Sequence, residues 1–267
     1  MEHATAENYI DLKDTPSEKN IGRDILPAGI LLGIAMALWE SSVRLLEIPS
    51  YLLPSPTIIL KTLTQESTYY AHATFVTVGE AAAGLVLGLT VGILIAILIT
   101  YWTRLERGVL ALAILVKATP MVAIAPLLVI WFGFGPLPKI MITALLTFFP
   151  VLINVHSGLH AVDEAYLALF HSLDANRWEV FRYARWPSAL PYLFTALKVI
   201  APLSLVGAVV AEWAGASAGL GRAMWLAYSN LNMPALFAAV FCSATMGILL
   251  YTVVVAIEKR VLFWWNA

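Results

Sequence analysis

Charge is what this chain has least of. Only 12% of its 267 residues are Asp, Glu, Lys or Arg, while 60% are hydrophobic and the mean hydropathy is +0.82. Soluble domains carry about 25% charged residues. A deficit of this size, combined with long apolar runs, excludes an ordinary soluble domain and places the chain in a lipid bilayer. The net charge of −1 gives no electrostatic basis for nucleic-acid binding. Cysteine is nearly absent too. Cys242 stands alone, so no internal disulfide can form, and its apolar neighbours point to a packed core thiol. The histidines (His3, His72, His156, His160 and His171) show no metal-binding spacing. His156 and His160 are four apart, but no Glu-bearing zinc motif accompanies them, so no metal or cofactor is expected on this chain. No Gly-x-x-x-x-Gly-Lys-Ser/Thr phosphate loop occurs, which excludes ATP hydrolysis by that route. No short apolar segment with a small-residue cleavage site is present, so no removable signal peptide is expected.

What is there is a series of apolar runs. They cover residues 25–46, about 74–102, about 108–132, about 139–160, about 190–213 and about 234–257. The core of the second, "AAAGLVLGLTVGILIAILITYW", holds 22 uncharged residues; at 1.5 Å per residue that is about 33 Å, enough to cross hydrocarbon. The expectation is an all-α membrane protein of about six transmembrane helices. Residues 1–24 read as a polar tail, 25–260 as the membrane domain and 261–267 as a short C-terminal tail. With the N-terminus inside, cytoplasmic segments hold Lys13, Lys19, Arg23, Arg104, Arg107, Arg177, Arg182, Arg185, Lys259 and Arg260, and external ones hold Arg44, Lys61, Lys139 and Arg222. Ten basic residues against four favour cytoplasmic N- and C-termini.

Ionisable residues inside spans cost about 2.5–3.5 kcal/mol each at mid-depth, so each calls for a reason. They are Glu40, Glu80, Lys117, Lys198 and Glu212. Lys198 can snorkel to the cytoplasmic surface, and Glu40 and Glu212 are expected near external water. Glu80 and Lys117 either line a pathway, pair with each other or cap broken helices. Pro120 and Pro126 free backbone carbonyls that neighbours or water must satisfy, and a cavity wall is a natural place for them. Lys117, Thr119, Pro120 and Met121, with Glu80 and Glu212, are therefore the candidate pathway-lining residues. "EWAGASAGLGRAMW" (212–225) reads as an external re-entrant turn or gate, or as an ordinary loop. Gly84, Gly88 and Gly92 recur every four residues and let another helix approach closely, either inside the bundle or at a subunit interface.

One polar stretch interrupts the second half: "HSLDANRWEVFRYARWPSALP", residues 171–191, within an expected loop 161–189. Residues 164–173 fit one short helix, and Asp174-Ala175-Asn176 fit a turn. Asn176 and Glu179 have capping-box spacing, so a second helix is expected from Arg177, ended by Pro187 and Pro191. Physically this is either an amphipathic helix among lipid headgroups or a helix–turn–helix knob held by a cytoplasmic partner.

Residues 172–221 are similar to the cytoplasmic loop and following helix of ABC-importer permeases, the inner-membrane components of binding-protein-dependent transport. The nearest group resembles permeases for nitrate, sulfonates, taurine and pyrimidine vitamin precursors. "LLPSPTII" (52–59), "TPMVAIAPLLVIWFGFGPLPKI" (119–140) and "FFPVLINVHSGL" (148–159) match the same family in the expected order. The resemblance implies a non-catalytic permease subunit in a bacterial inner membrane. It also implies a pair of ATP-binding cassette subunits that use the ATP, a second permease copy and an extracytoplasmic solute-binding protein. It makes Leu173, Asp174, Ala175, Asn176, Arg177 and Trp178 the coupling element that docks on the ATPase. The family's loop usually carries Glu-Ala-Ala six residues before a Gly; here those places read Ala168-Leu169-Phe170 and Asp174. Relatives with sulfonate-like substrates often carry a base where Glu80 falls, so an acid there favours a heterocyclic solute over a small anion. Two rival functions remain from the residues alone. A secondary transporter would need ion-coupling residues and often shows an inverted repeat, and a membrane enzyme would need a cluster of nucleophiles or metal ligands.

Overall fold

The computed structural model describes residues 21–264. Most of the expected tail, 1–20, and residues 265–267 therefore lie outside the described residues. The chain runs as α1 (Ile21–Leu45), α2 (Pro56–Gln65), α3 (Ser67–Tyr101), α4 (Thr103–Ala118), α5 (Met121–Phe132) and α6 (Leu137–His160). It continues as α7 (Glu164–Ser172), α8 (Arg177–Val180), a π-turn (Phe181–Arg185), α9 (Trp186–Ala214), α10 (Leu220–Ser229) and α11 (Met233–Val261). No strand occurs among the described residues.

Among the described residues, α3, α6, the continuous 177–214 helix and α11 are each long and apolar enough to cross a bilayer. The helices α4 and α5 reach that length and apolarity only together, and they are bent by 92° at their junction, as in a broken span or a re-entrant loop. α1 carries the first apolar run and leaves Leu31, Leu32 and Leu38 more than three-fifths exposed. The third apolar run is thus not one helix. Thr119 is extended, as the residue before a proline prefers, and Pro120 lacks an N–H, so the helix stops and restarts at Met121. Pro126 sits inside α5 without breaking it.

Pro187 and Pro191 also behave differently from expectation: they do not end the helix that starts at Arg177. The backbone widens into the π-turn, where the Trp186 N–H donates to the Phe181 carbonyl five residues back. That extra width just before Pro187 relieves the ring's clash with the preceding turn, so the polar stretch from Arg177 and the apolar run after it form one rod.

α6 lies at the centre, between α3 and α9. Ile99, Val151, Leu152, Val155, Leu159 and Ile200 form the main core where these three meet. The glycine row decides how close α3 can come. A Cβ on Gly84, Gly88 or Gly92 would collide with Thr143, Thr147 or Val151 of α6 respectively. Internal bundle packing is therefore what the Gly84-Gly88-Gly92 row serves. A second core, around Ile59, Tyr70, Leu220 and Met224, joins α2, α3, α10 and α11.

Candidate functional site

Two places gather the polar residues that a lipid-facing sequence otherwise avoids. The first is the turn between α7 and α8. Asp163 caps α7 by accepting from the Ala165 N–H at 2.8 Å. Asp174 then takes a left-handed conformation, φ +51°. This is the position where the resembled family carries glycine, and a short polar side chain is among the few alternatives that tolerate it. Asn176 Oδ1 accepts from the N–H groups of Trp178 and Glu179, both at 3.0 Å, and Glu179 Oε2 accepts from the Asn176 N–H at 2.7 Å. The capping box expected from spacing is thus formed in full. Leu173 and Trp178 project from this turn, 70% and 66% exposed. Trp178 stacks on Phe181, with ring centroids 5.6 Å apart, which fixes the direction in which it points. Ala175 is half-buried and Arg177 is exposed.

The second place lies at the opposite ends of α3, α6 and α9. Glu212 is 1% exposed, so it does not meet the external water expected for it. Its Oε1 accepts from the Thr77 hydroxyl at 2.7 Å and its Oε2 from the Gly221 N–H. Thr77 Oγ1 in turn accepts from the Leu220 N–H at 2.7 Å. The carboxylate therefore caps the start of α10, where the unpaired N–H groups of a helix favour negative charge. Gly219, φ +110°, gives the chain room to pass, since a Cβ there would overlap the Glu212 carboxylate. Glu80 lies beside Glu212, with Lys139 the basic group in reach of both. Glu80 Oε2 is buried and has no partner among the described residues. Lys139, 2% exposed, donates to the carbonyls of Phe134 and Gly135 at 2.7 and 2.6 Å. The connections 133–136 and 215–219 are thus both tied to buried charges.

Glu80 and Lys117 do not pair. Lys117 is exposed and sits over the Phe149 ring, 4.7 Å from its centroid. Thr119, Pro120 and Met121 lie at the α4–α5 break, and the Thr119 hydroxyl donates to the Leu115 carbonyl of α4 rather than to Glu80 or Glu212. Glu40 pairs with Arg44 and accepts from Thr57, tying α1 to α2. Lys198 pairs with Glu258 at 2.8 Å. Thr77 and Lys139 escaped the sequence reading. Thr77 is neutral, and Lys139 read as one more loop charge because nothing in its spacing shows that its amine folds back onto carbonyls four and five residues earlier.

Several membrane-length helices and one projecting polar turn define a polytopic all-α membrane protein. The chain belongs to the family described as binding-protein-dependent transport system inner membrane component, which matches residues 88–263. It is 36% identical over 231 residues to the formylaminopyrimidine transport permease protein ThiX of Halalkalibacterium halodurans, covering 86% of this chain and 92% of that one. It is 29% identical to the riboflavin transport system permease protein RibX of Chloroflexus aurantiacus, covering 88% of each chain. With the taurine transport system permease protein TauC of Escherichia coli the identity is 28%, covering 90% and 89%. A solved amino acid ABC transporter shares the fold at a TM-score of 0.61 and 16% identity, covering 74% of this chain and 97% of that one. The protein is accordingly an ABC-importer permease, a multi-pass membrane protein whose family works with an ATP-binding subunit and a substrate-binding protein.

Proposed function

We propose that this chain is the non-catalytic membrane subunit of an ATP-driven importer, forming with a second copy the pathway for a small heterocyclic vitamin precursor. An external binding protein delivers the solute, and a pair of ATPase subunits supplies the energy. The observation that carries the reading is the knob: a turn clamped by a full capping box at Asn176, continuous through α8 and the π-turn with a membrane-spanning helix. A coupling element must be stiff, because a loose one absorbs the partner's movement. The lipid-surface alternative requires no such clamp, and it would favour Leu173 and Trp178 lying flat in headgroups rather than carried on a turn.

In this reading the knob and both termini face the cytoplasm of a bacterium, and 212–225 is the external gate. Lys117, Thr119, Pro120 and Met121 line the pathway at the α4–α5 break. Support for a heterocycle comes from the formylaminopyrimidine and riboflavin names of similar permeases. Permeases named for sulfonates and taurine keep an organic anion as the second reading. Two measurements test the proposal. Purified from native membranes, the chain should bring an ATPase with it, and uptake in vesicles should stop when ATP is withheld. Uphill uptake by the purified chain alone, driven by an ion gradient, would make it a secondary transporter instead. A binding protein encoded beside it should bind pyrimidine derivatives in a ligand screen; binding of taurine or an alkanesulfonate instead would select the second reading.

A further inference from the structure

The knob is not a smooth apolar plug. Between it and the end of α3 lies a half-open cleft of about 280 Å³, and three of its lining side chains are basic: His171, Arg177 and Arg185. Thr100, Tyr101 and Ala175 line it as well, and none of its lining residues is acidic. Of the nearby acids, exposed Asp174 lies outside the cleft's lining, and two others are already engaged. Asp163 caps α7 and Glu179 closes the box at Asn176. Among the described residues, none of the three basic side chains forms an ion pair. Arg185 is held in place by donating to the Leu159 carbonyl at 3.2 Å, and the Tyr101 hydroxyl donates to the Arg177 carbonyl at 3.5 Å. Two guanidinium groups facing one small cleft repel each other unless a counter-charge enters between them. Exposed Leu173 and Trp178 are close in sequence to the lining residues Ala175 and Arg177, so a partner seated on the apolar tip comes within reach of the basic groups.

We propose that this cleft receives a carboxylate side chain of the ATPase subunit, held by Arg177 and Arg185. Arginine pairs are suited to it, because a guanidinium binds a carboxylate through two parallel hydrogen bonds and fixes orientation as well as charge. The inference rests on the coupling-knob reading. It goes beyond that reading by giving the docking contact a sign: this permease presents the cations and the ATPase presents the acid.

The test uses the whole complex in detergent. Arg177→Lys and Arg185→Lys keep the charge and supply an amine. A water-soluble carbodiimide, which joins an amine to a carboxylate as an amide, should then form a permease–ATPase link at residue 177 or 185 in these variants, a link the arginines of the unchanged protein cannot form. Peptide mass mapping should place the link on an Asp or Glu of the ATPase. Arg177→Glu should lower the ATPase retained per permease by about tenfold or more, the scale expected when a desolvated charge pair is broken at an interface, and added salt should weaken docking of the unchanged protein. If ATPase is retained but neither Lys variant cross-links and Arg177→Glu retains it fully, the carboxylate contact is wrong while the knob stands. Cross-links within the permease only, or phospholipid phosphate co-purifying in proportion to the arginines, also overturn it. If no ATPase accompanies the unchanged protein, the coupling-knob reading itself falls.

Discussion

Asp174 shows how much a single backbone angle decides. Its φ of +51° is the one left-handed position in the knob, and the turn cannot be made without it. Glycine fits there freely but costs entropy on folding, so Asp174→Gly should leave stability within about 0.5 kcal/mol. Asp174→Val should lose about 1–2 kcal/mol, since a β-branched side chain is an outlier in that region. Thermal unfolding in detergent distinguishes the two; equal loss in both would mean that the Asp174 side chain, not the angle, matters. Trp178 works outward instead. Trp178→Ala should weaken ATPase docking by about 2 kcal/mol, roughly thirtyfold, as truncated interface anchors do. Asn176→Ala should cost less, about 1 kcal/mol of local helix stability. ATPase retained per permease at equal membrane expression measures both, and full retention in Trp178→Ala would return the residue to the lipid surface. Glu212 belongs to the other end. Its replacement by Gln removes the negative charge that caps α10 and sets the amide nitrogen either against the Gly221 N–H, donor against donor, or toward Thr77, whose hydroxyl must then turn to donate to the Ala73 carbonyl alone. The expected loss is about 1–3 kcal/mol, read as a lower melting temperature, and an unchanged one would mean that the buried cap is dispensable.

Helix breaks and helix contacts were unequally legible. The capping box at Asn176 could be read from spacing, because a cap uses only residues three apart in sequence. The break at Thr119-Pro120 was also visible, since proline's missing donor is a local fact. The fate of Pro187 was not, because whether a proline ends a helix or is absorbed by a π-turn depends on how the flanking helix is held. Phe181 and Trp186 pack against the core where α3, α6 and α9 meet, and that packing keeps the rod continuous. The Gly84-Gly88-Gly92 row announced a close approach without naming the partner. The partner is α6, which the period of four cannot reveal. Gly88→Leu should therefore force α3 and α6 apart and lower thermal stability of the isolated permease sharply, by more than the roughly 3 kcal/mol that overpacking commonly costs, because a Cβ alone already meets Thr147 and the Ala144 carbonyl. A subunit-interface role predicts the reverse: a stable monomer that no longer dimerises on a sizing column.

Orientation is what links the two polar ends into one machine. Knob and buried cluster sit at opposite ends of α6 and α9, so the charge count that assigns one end to the cytoplasm assigns the other to the outside. The membrane class could be read from composition alone; the proposed direction of insertion rests on where Lys and Arg fall. The buried cluster could not. Glu80, Lys139 and Glu212 come from three helices separated by up to 132 residues, and in a single sequence each reads as an isolated span charge or a loop charge. A labelling pair tests the arrangement. In a Cys242→Ser background, which removes the single native thiol, Ser172→Cys and Ser217→Cys each place one exposed thiol at opposite ends. A membrane-impermeant maleimide applied to intact cells should label Ser217→Cys and spare Ser172→Cys, and inside-out vesicles should exchange the two results. Bound substrate-loaded binding protein should then shield Ser217→Cys, if 212–225 is the gate it rests on, while added ATPase subunit should shield Ser172→Cys in the vesicles. Labelling of Ser172→Cys from outside would put the knob on the wrong face for any cytoplasmic motor, and the coupling role of residues 173–178 would have to be abandoned.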